Sequence, residues 1–258
     1  MRYWSWLFAA REARQPLLGV YALMAEWQAL LDPDTGADVA RIKLAWWRDE
    51  MGRLAAGSPL HPISRYLANL EAAAAMDWSP LALAAAAAAA QIAGAPLERA
   101  AELRSHADAL FGAPLLVTAR IGAADSSSVQ TCIAALAEAQ YLARALAAYG
   151  REARAGRIVF PIDGLLAAGV DNDDLAASVP PPRLHAYLQR MRGQAARCFA
   201  HAGAALAPRE RPPLRHLLVL ATLGAKHLNG TERRAGSDFR PADLYNAWTT
   251  ARRAAAAR

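Results

Sequence analysis

Apolar residues recur along this chain at helical spacing. Leu17, Leu18, Tyr21, Met24 and Ala25 form a stripe at steps of three and four, and Pro16 suits a first helical turn. The pattern predicts a helix from Pro16 to Leu31. Asp32-Pro33-Asp34-Thr35-Gly36 reads as a turn, because proline disfavours helix at the residue before it. Asp38 suits the N-cap of a second helix over Val39 to Ala56, which Gly57 ends. There Ile42, Leu44, Trp46 and Trp47 are apolar, while Arg41, Arg48, Asp49 and Arg53 are polar.

A short helix is expected from His61-Pro62 to Leu70, and an alanine-dominated one from Ser79-Pro80 to Ala93. Alanine permits close helix packing without loss of side-chain entropy. Leu97 to Ile121 reads as a helix kinked near Gly112 and Pro114. Serines at 126–128 can cap a helix over Val129 to Tyr149 that runs into Gly150. Ile162 to Asp174 reads as a connector, and Val179 to Pro182 as an exposed break. Helices at Leu184–Leu206 and Leu214–Asn229, then a segment from Pro241 to Ala254 with a basic tail, complete the pattern. No strand-like alternation, fixed repeat or long linker stands out. The expectation is one all-α domain over residues 1–258.

Composition supports helices and adds a charge. Hydrophobic residues make up 55% of the chain, and alanine and leucine, both strong helix formers, dominate them. Twenty-nine basic against 23 acidic side chains leave +6, which suits a diphosphate or an acidic lipid surface. No nucleic-acid partner is expected, since the arginines are scattered and no binding motif accompanies them. Cys132 and Cys198 are too few for a disulfide framework and read as reduced thiols. The start lacks a signal-peptide pattern, and the apolar run Leu81–Ala93 is shorter than the roughly 20 residues a bilayer requires. A cytoplasmic protein, at most peripheral to a membrane, is expected. The six histidines show no HExxH pattern, and no GxSxG elbow occurs.

Three motifs carry a family resemblance. Arg14 is followed at a spacing of seven by Tyr21-Ala22. Ile42 to Glu50 contains Trp46-Trp47-Arg48, with Gly57 and His61-Pro62 after it. Gly156-Arg157-Ile158-Val159-Phe160-Pro161 closes the third. In this order they resemble the squalene/phytoene synthase family, nearest a bacterial subgroup that is also similar to the family's mitochondrial complex I assembly factors. The resemblance implies an isoprenoid (terpenoid) synthase fold, with helices around a central cavity. It further implies head-to-head joining of two allylic diphosphates. Two helices with paired aspartates hold Mg²⁺ for that reaction, and an apolar cavity shelters the carbocation.

Position by position, the acidic pairs are incomplete. The first falls on Gln28 and Asp32, with the family's arginine on Ala25; the second falls on Ala148 and Glu152. The glutamine and asparagine of the second helix fall on Tyr141 and Arg144, and the serine-containing N-terminal segment falls at or before Met1. The resemblance thus makes Asp32 and Glu152 the candidate catalytic and metal-binding residues. Arg14, Tyr21, Gln28, Tyr141, Arg144 and Arg157 become the candidate substrate-binding ones.

Each has a plainer reading. Asp32 before proline is an ordinary turn residue. Glu152 can pair with Arg151 or Arg154. Arg144 is either a surface arginine or a guanidinium standing in for metal charge. Arg157 lies near the cavity mouth or in a structural ion pair. Trp46 and Trp47 are core or cavity lining, and His61 marks a helix entry.

Two functional classes follow. One is a Mg²⁺-dependent prenyltransferase. The other is a non-catalytic relative binding a prenyl diphosphate, an isoprenoid lipid or an unknown protein partner, without a metal cofactor; respiratory-complex assembly is one such role.

Overall fold

A computed structural model describes residues 1–71, 76–121, 125–229 and 241–257. The end of the basic tail, Arg258, lies outside them. The described residues form helices and no strand. α1 (Arg2–Leu7), α2 (Arg14–Leu30), α3 (Ala37–Ala55) and α4 (Pro62–Ala68) come first, followed by α5 (Pro80–Ile92), α6 (Ala100–Ala107) and α7 (Ala113–Ile121). Then come α8 (Ser127–Arg154), α9 (Ile162–Ala167), α10 (Asn172–Ala176), α11 (Pro182–Ala205), α12 (Arg215–Asn229) and α13 (Pro241–Ala256).

The architecture is organised around α8. Its 28 residues span about 42 Å at 1.5 Å per residue. It packs most extensively on α11 and also touches α6, α7, α10 and α12. Val129, Cys132, Ile133, Leu136, Leu142 and Ala145 lie buried along it. Ser126 caps its start, its hydroxyl accepting from the Val129 amide at 3.3 Å.

The helix does not stop at Gly150; it runs four residues further and carries Glu152 inside it. Gly156 ends it with φ +75°, a left-handed conformation that glycine adopts without a Cβ penalty. The Gly156 amide donates to the Ala153 carbonyl and the Arg157 amide to the Glu152 carbonyl, both at 2.9 Å. This paired closure folds the chain back so that residue 157 lies over residue 152.

Several other expectations are corrected. Leu18 and Ala25 face outward on α2, where Leu17, Val20, Tyr21, Met24, Trp27 and Leu30 form the buried stripe. α3 begins at Ala37 with Gly36 as its cap, and Asp38 pairs with Arg41 instead. The segment over residues 162–174 is not a plain connector, since α9 and the start of α10 occupy it. The kink before Pro114 is a π-turn over Asp108–Gly112.

The Trp-Trp-Arg segment and the His-Pro step form one corner. Glu50, with no exposed surface, accepts from the amides of Leu60 (2.8 Å) and His61 (2.7 Å) and from Arg53 Nε (2.8 Å). His61 caps α4, its Nδ1 accepting from the Ile63 amide, and its ring lies 4.5 Å from that of Trp47. Trp47 is buried, whereas Trp46 stays 40% exposed under Arg53.

Candidate functional site

The ends of α2 and α8 meet, and this is where the two motif positions lie. Glu152 has no exposed surface, and each of its oxygens takes a guanidinium donor. Arg144 Nη2 donates to Oε1 at 2.8 Å and Arg157 Nε to Oε2 at 2.7 Å. Arg144 sits two helical turns before Glu152 on the same face, which the helical repeat dictates. Arg157 arrives through the glycine turn. The pairing of Glu152 is therefore with Arg144 and Arg157, not with Arg151 or Arg154. Arg144 is neither a surface arginine nor free, because it also donates to the Leu31 carbonyl at 2.8 Å and ties α8 to the end of α2.

Asp32 has the other arrangement. It is partly exposed, accepts the Asp34 amide at 3.1 Å as a turn aspartate does, and pairs with Arg151 Nη1 at 3.0 Å. Arg151 reaches Asp34 as well, at 3.4 Å. Asp32 and Glu152 thus share no partner, and each is held by arginine. Ala148 is buried beside them, and Gln28 is half-buried on α2.

The remaining candidates divide. Tyr141 is buried and donates to the Val159 carbonyl at 3.0 Å, fixing the Arg157–Pro161 segment against α8. Burial pushes its hydroxyl above the usual range. Tyr21 lies apart from this cluster, its hydroxyl 2.8 Å from Ser5 Oγ, which in turn donates to the His216 carbonyl. Burial pushes Tyr21 up to about 12. Arg14 is exposed, with a 3.4 Å contact to the Ala9 carbonyl.

Sequence reasoning passed over His106, which stands beside Tyr141, and Gln91, which stands beside His106. The His106 ring packs edge-on to Tyr141 with centroids 5.5 Å apart, and its Nε2 lies 3.4 Å from Gln91 Oε1. Burial, and then the nearby Arg144 charge, bring His106 down to about 4, so its ring is neutral at pH 7. No spacing in the sequence linked α5, α6 and α8. Ser5 was likewise missed, since the family's serine segment aligned before Met1.

The cluster therefore holds two guanidinium charges, one carboxylate and a neutral imidazole, a net charge of +1. Among the described residues, Arg157 Nη2 and Gln91 Nε2 are buried with no hydrogen-bond partner. Buried donors of this kind are normally matched by an acceptor.

The described residues build an all-helical fold of the isoprenoid synthase class. A dehydrosqualene synthase solved with a ligand superposes with a TM-score of 0.76 at 17% identity, covering 98% of this chain and 89% of that one. The squalene synthase HpnC from Alicyclobacillus acidocaldarius gives 0.70 at 20% identity, covering 87% and 85% respectively. The squalene/phytoene synthase family model matches residues 1–252, and the chain belongs to that family. No curated protein matches it.

Proposed function

We propose that this protein binds a prenyl diphosphate, or an isoprenoid lipid with a similar anionic head, through arginine and without Mg²⁺. We further propose that it does not carry out the head-to-head condensation of its family. The observation that carries this reading is the pairing of the buried Glu152 with Arg144 and Arg157, one guanidinium on each oxygen. Each oxygen of Glu152 already accepts from a guanidinium, whose positive charge opposes a cation there, and Mg²⁺ requires near-octahedral oxygen ligands with several retained waters. Among the described residues no three His, Cys, Asp or Glu side chains converge as a cation site. The residues at the motif positions do not fit Mg²⁺.

They do suit an anion. The unpartnered Arg157 Nη2 is a donor of the kind a diphosphate oxygen accepts from, and guanidinium binds phosphate in a fixed fork. Arg144 keeps 18% of its side-chain surface, giving the cluster an edge on solvent.

Thermal unfolding with farnesyl diphosphate, in EDTA and in Mg²⁺, tests both halves. The expected result is an equal rise in melting temperature in the two buffers, weakened by Arg157→Lys. No rise in either buffer would remove the binding role. Formation of a C30 product in Mg²⁺ would establish the condensing enzyme instead.

A further inference from the structure

The last helix shows two unlike faces. Ala247, Ala251 and Ala254 are buried, with α13 packed on α12 and α1. On the opposite side Leu244 (40% exposed), Tyr245 (65%) and Trp248 (42%) project outward. The Tyr245 and Trp248 rings lie 6.3 Å apart, and the Arg252 guanidinium stacks over Trp248 at 4.9 Å. No partner element among the described residues covers these side chains to the extent that their inward neighbours are covered.

Charge separates this face from the exposed apolar residues of α3. On α3, Val39, Ile42 and Trp46 are exposed, but they alternate with the exposed carboxylates of Asp38 and Asp49. On α13 the sole acid, Asp243, is buried and lies 2.7 Å from His227 Nε2. The outward side thus presents an aliphatic residue, two amphipathic aromatics and the exposed Arg252, with no carboxylate among them.

We propose that the outward face of α13 docks this protein in the plane of an anionic lipid surface. Tyrosine and tryptophan are favoured at headgroup depth, because each pairs an apolar ring with a polar group that remains hydrated. Arginine supplies attraction to acidic headgroups while its stem and plane lie along the tryptophan. Among the described residues no helix is long and apolar enough to cross a membrane. The contact is therefore in-plane and reversible. It is independent of how the arginine cluster near Glu152 is used.

Co-sedimentation of the full chain with phosphatidylcholine vesicles, and with vesicles also containing phosphatidylglycerol, tests the assignment. Binding is expected only to the anionic vesicles and is expected to fall as salt is added. Arg252→Gln should weaken it about five-fold, the share of one basic residue near such a surface. Tyr245→Ser with Trp248→Ser should weaken it further while leaving the melting temperature unchanged, since both side chains point away from the core. Failure to bind anionic vesicles would overturn the proposal, as would equal binding by the double variant. So would a wild-type dimer that the double variant converts to monomer without any vesicle binding, which would make this face a contact between copies.

Discussion

Replacing Glu152 with glutamine is the sharpest perturbation of the arginine cluster. The substitution keeps shape and one acceptor oxygen but removes the charge shared by Arg144 and Arg157. At 2.7 and 2.8 Å, each pair is worth about 6 kcal/mol of Coulomb energy at an effective dielectric constant of 20, before desolvation. Most of that is cancelled by the cost of removing the three ions from water. Breaking such a group, however, leaves guanidinium charge buried without a counterion, which costs about 3–5 kcal/mol.

Urea denaturation followed by circular dichroism, in EDTA, should show a loss of that size. The loss should persist with Mg²⁺ present. Converting all three residues to apolar ones, Glu152→Leu with Arg144→Met and Arg157→Met, should recover much of it, because no unpaired charge then remains. A loss under about 1 kcal/mol in EDTA would refute the reasoning. It would mean that the carboxylate is free to serve another ligand.

Glu50→Ala should cost about 2–4 kcal/mol by the same urea measurement, since it strands the Leu60 and His61 amides at the α3–α4 corner. Burial raises the Glu50 carboxyl, but donors from His61, Arg53 and Leu60 outweigh this and hold it below its ordinary value; its contribution should therefore fade in acid. His106 and His216 are brought down to about 4 and about 3, chiefly by burial. The unfolded chain takes up these protons near pH 6.5 and the folded one does not, so stability is complete above that pH. It should fall by about 1.4 kcal/mol per pH unit for each histidine as pH drops toward the folded values. His106→Asn should flatten the urea-midpoint profile between pH 6 and 4. Gly224→Ala should destabilise by about 1–3 kcal/mol, because a Cβ there would lie 2.3 Å from the Phe199 ring and force α11 and α12 apart. An unchanged melting temperature would show that the ring can move aside.

Much of the fold was legible in the sequence because helices are local. Proline at the starts of α4 and α5, glycine at 57 and serine before α8 mark boundaries through backbone preferences that depend on neighbouring residues alone. The end of α8 was misread for a related reason. Gly150 looks like a terminator in isolation, but packing of α8 against α10 and α11 overrides the roughly 1 kcal/mol that an internal glycine costs. The faces of α2 were misread at Leu18 and Ala25, since which side of an apolar helix is buried depends on its neighbours.

The sequence alone determined the helical class, and the motif order that marks the family. It could not determine what Asp32 and Glu152 touch. Arg144 and Glu152 share a helix, yet their tie to Leu31 crosses more than a hundred residues. His106 meets Tyr141 only because α6 packs on α8, and Gln91 of α5 meets His106 across 15 residues of sequence. Only tertiary structure brings arginine to both oxygens of Glu152, because charge pairing depends on distance through space, and sequence spacing specifies that distance only within one helix.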